Sequence, residues 1–185
     1  MENDRKNILT VLGGSFKPPT QGHFNMVKWA LEQYPETEEI IIYVGGGKRG
    51  KIHQNHSILV WDIYKKYLSP KLNIIPVGAP IKQIVKLAHE LPDTQINMVI
   101  GCRVGNKKDL MDVKRRTKHL PKNVKIRIHS SDDVYSGRRA RKALLNSEKA
   151  LKEMIPQELN QTEVAEIFKI LNDKTPTQID NKIWI

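Results

Sequence analysis

The chain of 185 residues has one cysteine, Cys102, which excludes an intrachain disulfide framework and a cysteine-only metal site and agrees with a reducing compartment. Aromatic residues make up only 6%. No uninterrupted apolar run approaches the ~20 residues that a bilayer-spanning helix requires. The start, Met1 to Asn7, is charged where a secretory leader would be apolar. These absences lead to the expectation of a soluble, cytoplasmic protein without membrane partners. Acids are also scarce: 20 Asp and Glu stand against 31 Lys and Arg, a net charge of +11, which asks for an anionic partner.

What is present suffices for one globular domain with a real core, since 39% of residues are hydrophobic. The charge is concentrated: Gly101 to Leu145 carries 14 Lys and Arg against 4 acids, nearly the whole excess. Neither a repeat nor a low-complexity segment interrupts the chain.

Ile8 to Leu12, Glu39 to Val44, Leu72 to Val77, Ile96 to Ile100 and Val124 to Ile128 are short Ile- and Val-rich runs, several without strict alternation, as strands buried on both faces are. Between them Gly22 to Tyr34, Ile52 to Leu68, Ile81 to Leu91 and Asn106 to Lys114 show helical periodicity. Alternation at this spacing predicts an α/β fold, a doubly wound parallel sheet of five strands with helices on both faces. Ser136 to Asn146 and Thr162 to Asn172 read as further helices. In such folds ligands bind where strands end and helices begin.

The strongest local signal sits there. Gly13, Gly14, Ser15, Phe16, Lys17, Pro18, Pro19, Thr20, Gln21, Gly22 and His23 follow the first strand. Glycines at a strand end let backbone N–H groups approach a phosphate, and a helix starting near Gln21 turns its positive end to the same anion. Thr20 and His23, three apart, fall on one side of that helix start. The plainer alternative is a Gly/Pro turn in which Thr20 is only an N-cap.

The run Gly-Ser-Phe-x-Pro-Pro-Thr-x-Gly-His resembles the signature of the cytidylyltransferase-like nucleotidyltransferase superfamily, with Thr20, Gly22 and His23 matching its H/T-x-G-H motif. That group includes pantetheine-phosphate, nicotinamide-mononucleotide and glycerol-phosphate nucleotidyltransferases. A second family motif, an I-S-x-T-x-x-R-like turn into a helix, is matched by Ser136 and Arg141, with Arg138 in place of the usual Thr. Met154, Ile155 and Pro156 resemble the short C-terminal extension of bacterial and phage members. The alternative for Arg138, Arg139, Arg141 and Lys142 is a solvated basic helix start.

The resemblance implies a Rossmann-like nucleotidyltransferase domain over residues 1–147, a helical extension of the same domain over 148–174, and a tail, 175–185. It implies transfer of an NMP group from ATP or CTP to a phosphorylated small-molecule acceptor, with release of pyrophosphate and with Mg²⁺ bound to the NTP. By the same resemblance His23, Thr20 and Lys17 are candidate catalytic residues. Gly13, Gly14, Ser15, Phe16, Gly22, Gly101, Ser136, Arg138 and Arg141 are candidates for the nucleotide. A homo-oligomer is compatible with this reading.

Other patterns compete. Gly45 to Lys51 satisfies G-x-x-x-x-G-K after a strand, but Ile52 follows where a P-loop needs Ser or Thr, and Ile96 to Ile100 runs into Gly101 and Cys102 rather than a Walker B Asp. The segment reads better as a basic loop whose Lys48, Arg49 and Lys51 face the cleft and bind the acceptor's phosphate. His53 and His56 have ligand-like spacing but lack a third ligand, so no metal site is expected, and these two with His89, His119 and His129 read as polar surface. Arg103 stands where the family often has Asp. The remaining alternative, a nucleic-acid-binding module, fits the +10 segment but lacks an RRM, KH or zinc signature.

Overall fold

The structure is a computed structural model that describes residues 7–131 and 133–174; the expected tail lies outside the described residues. Five strands form one parallel sheet: β1 (Ile8–Gly14), β2 (Glu39–Gly45), β5 (Leu72–Val77), β6 (Gln95–Arg103) and β7 (Val124–Ser131). Their order is β5-β2-β1-β6-β7. The helices are α1 (Gln21–Gln33), α2 (Gln54–Lys65), α3 (Pro80–Glu90), α4 (Lys107–Thr117), α5 (Gly137–Asn146), α6 (Glu148–Lys152) and α7 (Gln161–Asn172).

Alternate residues of each strand face opposite sides. Leu12, Ile40, Ile42, Val44 and Val99 join α1, α2 and α5 to α7 in the larger core. Val11, Ile41, Tyr43, Ile96 and Met98 pack with Ile84 and Ala88 of α3 on the other face. Both faces of the central strands are therefore dry, which is why their sequences do not alternate. The chain switches faces between β5 and β6, so the crevice opens at the carboxyl ends of β1 and β6. The expected Rossmann-like, doubly wound α/β sheet of five strands with helices on both faces is the observed one. Leu151 of α6, Ile155 of the turn after it, and Val164 and Leu171 of α7 lie in the same core as α1 and α2.

The sequence reading placed a helix from Ile52, and the structure corrects it. Lys48–Arg49 (β3) and Ile52–His53 (β4) pair antiparallel across Gly50, and α2 begins only at Gln54. Gly47 and Gly50 hold φ of 72° and 60°, a left-handed geometry that turns the chain back before a helix can start. A Gly-rich loop running straight into a helix, as a P-loop does, is thus not what this segment forms. Among the described residues no helix is long and apolar enough to cross a membrane.

Candidate active site

The loop after β1 is held from behind by α2. Ser57 Oγ donates to the Phe16 carbonyl at 2.6 Å, and the Tyr64 hydroxyl to that of Pro19 at 3.2 Å. Phe16 adopts φ 47°, rare for a bulky residue. Its ring lies over Gly14, where a Cβ would come within 2.9 Å of it, and meets His23 and Trp61 edge-on at 5.0 and 5.5 Å between ring centres. Gly14 is therefore required for the ring to fold back over the strand end.

At the start of α1 the Thr20 N–H donates to His23 Nδ1 at 3.0 Å. A nitrogen that accepts carries no proton, so a neutral ring bears its proton on Nε2. Burial keeps the ring neutral, lowering its pKa from 6.5 to about 4. The Thr20 hydroxyl, itself fully buried, donates to the Tyr135 carbonyl at 2.8 Å.

His53 and His56 repeat the device at α2, where the His53 N–H donates to His56 Nδ1 at 2.9 Å. His56 is fully buried, not on the surface as its sequence suggested, and its Nε2 meets the Asp173 carbonyl at 3.1 Å. The second nitrogen of His56 is spent on structure. His23 Nε2 has no partner among the described residues, and the ring lines a cleft.

That cleft, about 280 Å³, gathers Gly13, Gly14, Ser15, Phe16, Gly22, His23 and Gly101 with Arg103, Asp109, Arg116, His129, Ser131 and Tyr135. Seven of the sequence's candidates thus share one wall. His129, also expected on the surface, is half-buried against Trp29 at 5.2 Å between ring centres; its Nδ1 is buried without a partner among the described residues, and burial lowers its pKa. Arg103, unexpected at its position, holds Asp109 through Nη2 at 2.7 Å, Nε at 2.8 Å and its N–H at 3.0 Å. This pairing brings the Asp109 carboxyl down to about 2. A carboxylate therefore does reach the end of β6, but from α4. Cys102 is packed, its thiol pushed up by burial.

Lys17 does not extend freely into the cleft. It is 3% exposed, and its Nζ donates to the Gly45 and Gly46 carbonyls at 2.7 and 2.9 Å, clamping the loop to the end of β2 with one N–H left over. Burial and the charge of Arg49 lower its pKa. Arg141 Nη1 donates to the Lys17 carbonyl at 2.5 Å. Desolvation, then Arg49, then Arg138 make the Arg141 cation less favourable. Arg49 thus sets a like charge against both Lys17 and Arg141, and Arg138 sets another against Arg141. Ser136 caps α5, its Oγ accepting from the Arg139 N–H at 3.3 Å. Within the hairpin, Lys51 turns away to Asn172 Oδ1 at 2.7 Å, and Lys48 is exposed.

Sequence reasoning missed several supports. Gln54 bridges the ends of β2 and β5 through the Val44 and Val77 carbonyls at 2.6 and 3.0 Å. The Gln21 N–H, at the first residue of α1, donates to the Met154 carbonyl at 2.9 Å. Ser57 and Gln54 are small or uncharged polar residues at a helix start, and no pattern separates them from ordinary surface residues.

No family model matches the chain, and no curated protein matches it. Solved structures do. Plasmodium falciparum nicotinic acid mononucleotide adenylyltransferase complexed with NaAD superposes with a TM-score of 0.61 at 15% identity, over 88% of this chain and 95% of that one. The same enzyme complexed with APC gives 0.60 with the same identity and coverage. What is shared is the fold.

Proposed function

We propose that the protein is a nucleotidyltransferase that moves an NMP group from ATP or CTP to a phosphorylated small-molecule acceptor and releases pyrophosphate. The observation that carries this reading is the Nε2–H of a neutral His23, which lines the cleft with no partner among the described residues. The shared fold, and the nucleotide named with its neighbour, agree with it.

In this reading an oxygen of the acceptor's phosphate attacks the α-phosphorus in line. The bond from that phosphorus to the bridging oxygen breaks, and its electron pair leaves with pyrophosphate. The protein supplies position and charge rather than a covalent intermediate. His23 Nε2–H donates to an α-phosphate oxygen, where charge gathers in the transition state, and Thr20 fixes the ring that does so. Backbone N–H groups of Gly14, Ser15 and Phe16 and the start of α1 serve the same oxygens. Ser136, Arg138 and Arg141 take the β- and γ-phosphates at the start of α5.

Arg49 belongs with them, since its charge acts on Lys17 and Arg141, which leaves Lys48 as the hairpin's cation for the acceptor. Among the described residues no group of three His, Cys, Asp or Glu could cage a metal, and Asp109 is held by Arg103. An Mg²⁺ would therefore come with the triphosphate rather than reside in a protein cage, and would add to the neutralisation of the leaving group.

The test is pyrophosphate release with each of four NTPs against a panel of phosphorylated acceptors. Turnover that needs both an NTP and a phosphorylated acceptor supports the assignment. Absence of release across the panel, with NTP bound, would leave a nucleotide-binding protein without transferase activity.

A further inference from the structure

The cations of α4 divide into two groups by direction. At 100° per residue, Asp109, Asp112 and Arg116 fall on one flank of the helix, and Asp109 and Arg116 line the cleft. Val113 is buried against the sheet. Lys107, Lys108, Lys114, Arg115 and Lys118 fall within an arc of about 120° on the side opposite Val113. All five are exposed. None of the five lines the cleft.

The two acids of α4 reach only Arg115 of this outer arc. Asp109 is held by Arg103, and Asp112 pairs with Arg115 at 2.6 Å and with Arg116. Lys107, Lys108, Lys114 and Lys118 have no acidic partner among the described residues. From Lys107 to Lys118 the helix rises about 16 Å, the axial length of roughly five phosphates along one strand of a duplex. The chain from Arg103 to Arg127 holds ten cations against those two acids, and of the ten Arg103 and Arg116 line the cleft.

We propose that the outer face of α4 is a docking surface for double-stranded nucleic acid, gripped through its phosphates without regard to sequence. Charge complementarity selects the partner. A second copy of the chain would bring the same cationic face against itself. A membrane-surface helix needs a broad apolar face with aromatic anchors, and α4 exposes only Leu110 and Met111 between lysines. Single-strand binders stack bases on aromatic rings; of the large apolar side chains exposed among the described residues only Tyr67 is aromatic, and it follows α2, bonded to Glu163. What remains suits a backbone read as a line of charge.

The experiment is fluorescence anisotropy of a labelled 20-base-pair duplex with the full chain, titrated from 50 to 200 mM salt. Binding with a log–log salt slope near −4 is expected, from about four phosphates neutralised. The combined variant Lys107→Gln, Lys114→Gln, Lys118→Gln should lower that slope by about 3 and weaken binding about tenfold or more, while NTP turnover stays unchanged. In the unmodified protein, duplex should protect the same lysines from an amine-reactive label, a readout independent of how the variant folds. Equal binding by the variant, unaltered labelling, tighter binding of single strands, displacement by saturating NTP, or lysine-dependent binding to phosphatidylserine vesicles without duplex binding would each overturn the proposal.

Discussion

The Thr20 hydroxyl donates to the carbonyl of Tyr135, 115 residues away in sequence, at 2.8 Å. Since that carbonyl can only accept, the one hydroxyl proton goes to it, and His23 Nδ1 is served by the Thr20 N–H instead. Arg141 to the Lys17 carbonyl makes a second tie in the opposite sense. The turn before α5 and the loop after β1 are therefore one piece, and the imidazole is oriented by both.

Thr20→Ala removes the tie and leaves a carbonyl without its donor. A loss of about 1–3 kcal/mol in stability is expected, read by urea unfolding, together with slower pyrophosphate release. Thr20→Ser should recover most of both. Full activity in Thr20→Ala would mean that the Thr20 hydroxyl is not what positions His23.

The two capped histidines give a matched pair. His23→Ala is expected to cut kcat by about 10²–10³, the cost of deleting one transition-state donor, with a smaller drop in melting temperature than His56→Ala, since the hydrogen bond lost is that from the Thr20 N–H. His56→Ala empties a fully buried site and breaks the link to the Asp173 carbonyl; it should lower the melting temperature and leave kcat near that of the parent. The opposite pattern would move the chemistry to α2.

Stability should fall on acidification. The pKa of His23 in the fold, about 4, lies below the usual 6.5, so the unfolded chain takes up the proton first as pH drops. The contribution of the neutral ring is complete above about pH 6.5 and is lost towards pH 4. His56 and His129 are lowered in the same direction, also by burial. Thermal melts between pH 7 and 4.5 should show a decline that His23→Gln makes shallower. Turnover should show no inflection from this residue near pH 6.5, because the working form is already neutral there.

The central strands were legible because burial on both faces writes an unbroken apolar run, as in Ile40 to Val44. The two motif loops were legible because glycine, proline and a capping residue cannot be placed freely. The hairpin at Lys48 to His53 was not, since Ile52 continues an apolar helical period and the left-handed Gly47 and Gly50 reverse it. His56 and His129 were misplaced because a histidine's sequence neighbours do not reveal what packs on it from Asp173 or Trp29. Asp109 was invisible as a cleft residue: its role depends on Arg103, whose place the sequence showed only as a departure.

The hairpin supplies the sharpest separation of roles. Its three cations read alike in sequence, yet Arg49 acts on Lys17 and Arg141 while Lys51 is tied to Asn172. Arg49→Ala should raise KM for the NTP by about tenfold or more, the scale of a hydrogen bond to a charged group, and should restore a more ordinary basicity to Lys17. Lys51→Ala should leave that KM within about twofold, as expected for a solvent-exposed contact of small net worth. Lys48→Ala should act on KM for the acceptor. Steady-state kinetics with each substrate varied in turn separates these outcomes. Equal effects of all three variants on the NTP would show that the hairpin contributes only a diffuse positive field, and Arg49 would lose its place beside the triphosphate.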